Sequence, residues 1–191
     1  MRRKLYLLVG NGPIDKKSVD NAFDMAEGEI SEFVVHNDHL FSFTAPDDFA
    51  LQLNDILLPL HDDLGISLTA LACHRDDELE RKLLRNALAF FPNQCVCLSD
   101  VLMKEFSFGD YSSLSLVRRE FGSVPHEILL TAGTFLRCGL NASLAAETLL
   151  IHRNTFNYRL EKFIDLTGLD IRDYHNALLL EIYFQFAQPR G

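Results

Sequence analysis

The sequence predicts an α+β protein in two parts, a sheet-and-helix domain followed by an all-helical one. Three observations carry this reading. Strand-like and helical periodicities alternate up to about residue 98, and strand signals stop after Pro125. The charge also changes along the chain. Residues 1–125 hold 12 basic and 20 acidic side chains, a net of −8, whereas residues 126–191 hold 6 and 7, a net of −1. Within 131–163, Arg137, Arg153, Arg159 and Lys162 face only Glu147 and Glu161, so this segment is locally +2. The chain total of −9 argues against a phosphate-binding surface, but recognition happens on a patch, and the local sign is the one that decides.

The elements follow in order. Leu5 to Val9 is a short apolar strand ended by Gly10-Asn11-Gly12-Pro13, a dense turn signal. Val19, Ala22, Phe23 and Ala26 recur at helical spacing, with Gly28 closing the helix. Glu29–His36 and Leu40–Thr44 read as strands joined by the hairpin signal Asn37-Asp38-His39. Phe49–Leu60 is helical, with Asp47 or Asp48 able to cap it. Ile66–Cys73 is a strand. Leu79, Leu83, Leu84, Ala87, Leu88 and Phe91 mark a helix that Pro92 ends, and Gln94–Leu98 is a last strand. This order suits a mostly antiparallel sheet with helices on one face, a ferredoxin-like topology over residues 1–100. Residues 101–125 read as a connector: Ser107-Phe108-Gly109-Asp110 is turn-like, Ser112–Phe121 helical, and Gly122 to Pro125 a break.

From residue 126 to 191 the chain reads as helices separated by short turns. Leu129–Arg137 is amphipathic and ends near Gly139. Asn141 or Ser143 can cap a short helix from Leu144 to Leu149. Leu150, Ile151 and His152 form a turn, and Arg153–Leu166 is a second helix that Gly168 ends. Helix, short turn and second helix make a helix-turn-helix. On a wheel of the second helix, Phe156, Leu160, Phe163 and Ile164 form one apolar stripe, expected to pack on Ala145, Leu149 and Ile151. The other side carries Asn154, Thr155, Tyr158 and Lys162, flanked by Arg153 and Arg159, with Glu161 and Asp165 near its edge. Arg reads guanine and Asn adenine bidentately, while Thr, Tyr and Lys meet phosphates. The last helix, Tyr174–Phe186, either closes the core or contributes to a dimer interface.

These residues carry a resemblance. The segment from Thr131 to about Phe184, a third of the chain, resembles the C-terminal helix-turn-helix domain of PucR/CdaR-type bacterial transcriptional regulators. The matching runs are His152-Arg153-Asn154-Thr155, Tyr158-Arg159-Leu160 and Leu166-Thr167-Gly168-Leu169-Asp170, with Asn141 and Ala145 upstream. The second helix is also similar to that of Fis-type DNA-bending proteins. Leu150 departs from the Fis-type pattern, which has Gly there. PucR-type sequences accept a bulky residue at this place. The resemblance implies a DNA-binding regulator acting as a homodimer on double-stranded DNA. The expected contact residues are Asn141, Ser143, His152, Arg153, Asn154, Thr155, Asn157, Tyr158, Arg159 and Lys162.

The N-terminal domain more weakly resembles the degenerate GGDEF-like domain of CdaR-type regulators, through Gly65 to Ala70, Asp76 to Leu79 and Arg85 to Leu88. Active cyclases hold metal with a carboxylate at the end of the first strand, where this chain has Val9-Gly10. Their signature hairpin is replaced here by His36-Asn37-Asp38-His39. Two-metal chemistry needs those carboxylates, so the expectation is no enzyme, no metal and no cofactor, but a scaffold for dimerisation or for sensing a small-molecule effector.

Other features are read plainly. Cys73, Cys95, Cys97 and Cys138 lie in apolar runs and are expected to pack as thiols, without the ligand pairs of a zinc site. Gly10-Asn11-Gly12 lacks the remaining parts of a phosphate loop. His36, Asp38 and His39 fit an exposed hairpin tip better than a metal site, and His126 and His175 have no catalytic partner that sequence can place. No stretch reaches the roughly 18 apolar residues of a membrane helix. The basic start Met1 to Lys4 is followed by too short an apolar run for a signal peptide, so a cytoplasmic location is expected. The alternative is a small-ligand sensor or protein-interaction module whose helical domain does not bind DNA.

Overall fold

A computed structural model describes residues 3–24, 30–46 and 48–187. Met1, Arg2, Ala26, the helix end at Gly28, the strand start at Glu29 and the Asp47 cap lie outside the described residues. The chain divides into two compact units, Met1–Gly109 and Asp110–Gly191.

The first unit runs β1 (Arg3–Gly10), α1 (Lys16–Asp24), β2 (Ser31–Asn37), β3 (Leu40–Pro46), α2 (Phe49–Leu64), β4 (Leu68–Cys73), α3 (Glu78–Phe90), β5 (Cys95–Cys97) and α4 (Leu98–Ser107). Its sheet has the order β2-β3-β1-β4-β5. All pairings are antiparallel except β4 with β5. The first four strands, with α1 and α2 between them, are the ferredoxin-like arrangement expected from the sequence, and β5 adds a parallel edge. Register sets the two faces: Tyr6 lies opposite Phe43 and Ala72, while Leu7 lies opposite Ser42 and Leu71.

On one face Tyr6, Leu8, Phe41 and Phe43 join Val19 and Phe23 of α1 and Phe49, Leu53 and Leu57 of α2 in one buried cluster. The Tyr6 and Phe43 rings stack with centroids 5.3 Å apart, and the Tyr6 hydroxyl donates to the Pro46 carbonyl at 3.2 Å. Leu7 and Leu71, on the other face, are equally buried, and every residue of β4 is buried. The helix over that face is α3, which packs on β4 and β1. The expectation of helices on one face is therefore corrected. An apolar run without alternation, Leu68 to Cys73, is the mark of a strand covered on both sides.

Local chemistry fixes the helix ends. Asp77 caps α3 by accepting from the Leu79 N–H at 3.1 Å. Asp48 precedes α2 but its side chain makes no cap bond, contrary to the expected role. Helix α2 also runs past Leu60 to Leu64, where Gly65 (φ +67°) closes it through an N–H bond to the His61 carbonyl. Burial pushes the Cys73 and Cys95 thiols well up, and none of the four cysteines is in a disulfide.

The second unit is all helix: α5 (Leu114–Gly122), α6 (His126–Arg137), α7 (Ala142–Thr148), α8 (Arg153–Thr167) and α9 (Tyr174–Ile182), which continues as a π-helical turn over Tyr183–Ala187. The stretch read as a connector is thus largely helical, with 101–107 in α4 and 114–122 in α5. Helix α9 packs on α6, closing the core of this unit. Gly133 permits that approach, because a Cβ there would lie 2.7 Å from the Phe184 ring.

Candidate nucleic-acid interface

Helices α7 and α8 and the turn between them form the helix-turn-helix. Asn141 starts α7, its side-chain oxygen accepting from the Ser143 and Leu144 N–H groups at 3.1 Å each. Ala145 and Ala146 are buried, and their small side chains let α7 lie close against α8. The turn is held by backbone bonds from Leu150 N–H to the Glu147 carbonyl and from Ile151 N–H to the Ala146 carbonyl, both 3.0 Å. His152 starts α8: its Nδ1 accepts from the Asn154 N–H at 3.2 Å, which leaves the ring proton on Nε2 in the neutral form. Gly168 (φ +74°) ends α8, its N–H bonded to the Ile164 carbonyl at 2.7 Å.

The wheel is realised in packing. Phe156, Leu160 and Phe163 are buried, and Ile164, Leu149 and Ile151 are half-buried. Phe156 meets Phe135 of α6 with ring centroids 5.6 Å apart, and Phe163 stacks on Phe121 of α5 at 6.3 Å. The sequence predicts packing of this stripe on α7 and the turn; α5 and α6 also supply part of its floor.

Burial of that stripe turns the opposite face outward. His152, Arg153, Asn154, Thr155, Asn157, Tyr158 and Lys162 are all exposed, as are Asn141 and Ser143 at the start of α7. Arg153 and Lys162 have no ion-pair partner among the described residues. Arg159 differs from them. It is half-buried, and its Nη2 lies 2.8 Å from Glu127 Oε2 on α6. Glu161, one of the two acids near this face, is held by Arg172 at 3.3 Å. A single-helix wheel carries no information about Glu127, an acid 32 residues upstream on another helix.

Leu150 takes φ +53° and is 91% exposed. The turn therefore has the left-handed residue for which Fis-type sequences use glycine, built here with a bulky side chain. On the N-terminal hairpin, His36 Nε2 lies 2.8 Å from Ser42 Oγ, and the Asp38 carbonyl accepts from the Ile14 N–H. The His36 ring and the Asp38 backbone thus serve local structure.

Residues 128–186 match the family described as the PucR C-terminal helix-turn-helix domain. The C-terminal unit carries a PucR-type helix-turn-helix. The chain is 42% identical over 59 residues to the uncharacterized protein YxkF of Bacillus subtilis, covering 31% of this chain and 20% of that one. It is 35% identical over 60 residues to the carbohydrate diacid regulator of Escherichia coli, covering 31% and 16%. Similarity to the proline-responsive transcriptional activator PutR of Bacillus subtilis is 31% over 76 residues, covering 40% and 18%. The matched region spans a fifth or less of each of these relatives. A regulator of polyketide synthase expression from Bifidobacterium adolescentis aligns at 19% identity with a TM-score of 0.47, over 98% of this chain and 81% of that one.

Proposed function

We propose that this chain is a sequence-specific DNA-binding transcriptional regulator that acts as a homodimer in the bacterial cytoplasm. Helix α8 enters a major groove, with Arg153, Asn154 and Thr155 at its first turn over base edges and Lys162 and Tyr158 toward phosphates. Asn141, Ser143, His152, Asn157 and Arg159 complete the contact set. Two copies would read half-sites about one helical turn apart.

The observation that carries this reading is the two-sidedness of α8. Phe156, Leu160 and Phe163 of its apolar stripe are buried, while its N-terminal turns present donors, acceptors and unpaired positive charge to solvent. The PucR-type match supports the same reading, as do relatives whose names describe regulators. The rest of the chain is acidic, so non-specific affinity is expected to be weak and binding to depend on dimer geometry and a few contacts.

The test is in-vitro selection of duplex DNA on the purified chain, followed by anisotropy titration of the selected site at several salt concentrations. A two-fold symmetric consensus with steep salt dependence is the expected result. Failure to retain any duplex at low salt would favour a protein-interaction module instead.

A further inference from the structure

We propose that the groove between α1 and α2 of the N-terminal unit binds a small linear polyamine, an alkyl chain with an ammonium group at each end. The groove has a volume of about 640 Å³ and lies between Ser18, Asn21 and Ala22 of α1 and one side of α2. That size is within the range of small-molecule sites, roughly 300–1,000 Å³.

Its chemistry is one-sided. Asp55 and Asp63 line it, neither with a hydrogen-bond or ion-pair partner among the described residues, and no basic side chain among the lining residues opposes them. Ser18, Asn21 and Gln52 add neutral polar groups. Asp55, Pro59 and Asp63 follow one another at four-residue steps, so they run along one side of α2. Eight residues of helix separate the two carboxylates by about 12 Å of axial rise. Between the two acids the wall is apolar, made by Ile56, Pro59 and Leu60.

An anionic or purely neutral ligand would leave both carboxylates unpaired. A monoamine would satisfy one end and leave the alkyl wall or the second acid unused. A chain with two ammonium groups satisfies both ends and covers the wall between them. Each exposed ion pair is weak alone, but linking two of them through one chain makes the second encounter intramolecular. The occupant would bridge α1 and α2 and stabilise the N-terminal unit by mass action. This inference does not depend on DNA binding.

The experiment is calorimetric titration of the full chain with 1,8-diaminooctane and with n-butylamine at constant ionic strength, paired with thermal melts. The diamine is expected to bind at least ten-fold more tightly than butylamine and to raise the melting midpoint. Asp55→Asn and Asp63→Asn should each weaken the diamine at least five-fold. Asp62→Asn removes the same charge just outside the groove and should leave it unchanged. Equal affinity for the two amines would overturn the proposal. So would equal losses in the three variants, which would mean diffuse attraction to an acidic protein.

Discussion

The Arg159 guanidinium of α8 is held 2.8 Å from the Glu127 carboxylate of α6, so one cation of the helix-turn-helix is neutralised inside its own domain. Arg153 and Lys162 on the same helix have no such partner among the described residues. The charge that reaches a ligand is therefore set by the fold as well as by the sequence. Glu127→Gln should release Arg159. Binding to random duplex DNA should strengthen, and the dependence of log affinity on log salt should steepen by about one unit. The pair is largely exposed on its acid side, so the cost in stability should stay within about 1 kcal/mol. Anisotropy titrations at three salt concentrations, with a urea melt, check both parts. An unchanged slope would show that Arg159 is not available to phosphates even when freed.

Arg153→Ala and Asn154→Ala should each weaken a selected site by about 1–3 kcal/mol and relax base preference at one position. Lys162→Ala should instead weaken all sequences alike and lower the salt slope by about one unit. All three side chains are exposed, so the melting midpoint should be unchanged. Selection repeated on each variant separates the two kinds of contact. A double Arg153/Asn154 variant binding like the wild type would remove α8 from the reading role.

Leu150 sits in the left-handed region at φ +53° with 91% of its surface exposed. Its side chain gains little from packing, and its backbone conformation is one that glycine adopts freely. Leu150→Gly should stabilise the domain by about 0.5–1 kcal/mol, the relieved strain less the entropy glycine loses on folding. Urea denaturation measures it. A loss of stability would mean that the leucine makes a contact worth more than the strain.

Glu80 is 2% exposed in the first turn of α3, and its Oε2 has no hydrogen-bond partner. Burial, and a hydrogen bond to the Asp77 carboxylate, push its carboxyl up from 4.5 to about 8. The folded value lies above the unfolded one, so the unfolded state releases this proton first. Stability from this site is complete below about pH 4.5 and is lost as pH rises through about 8. Glu80→Gln keeps the shape and removes the titration. At pH 9 it should be more stable than the wild type by about 1–3 kcal/mol. Melting curves between pH 5 and pH 9 should be flatter for the variant, and parallel curves would sink the argument.

Much of the fold was legible because period reports burial. The apolar run of β1, the alternation of Phe41, Phe43 and Ala45 with Ser42 and Thr44 in β3, and the helical spacing in α3 and α8 follow directly from which side chains must leave water. The rest is less legible for local reasons. Pro59 suggests an end to α2 near Leu60, yet the helix carries the proline on its exposed side and runs on to Leu64, where Gly65 closes it. Helix α4 is hard to read because β5 is only three residues long and runs into it with no breaker between Cys97 and Leu98. The covering of both sheet faces is written only in the lack of alternation over Leu68–Cys73.

The sequence by itself determined the two-part architecture, the helix-turn-helix and the outward face of α8. Each of these follows from local periodicity, caps and turn residues within a few positions of one another. Only the tertiary structure decided that Arg159 is paired, that Leu150 is strained at the turn, and that Asp55 and Asp63 flank a groove beside α1. These are relations between residues on different elements, or a backbone angle imposed by the elements on either side. Their energies arise from distances that chain spacing does not encode.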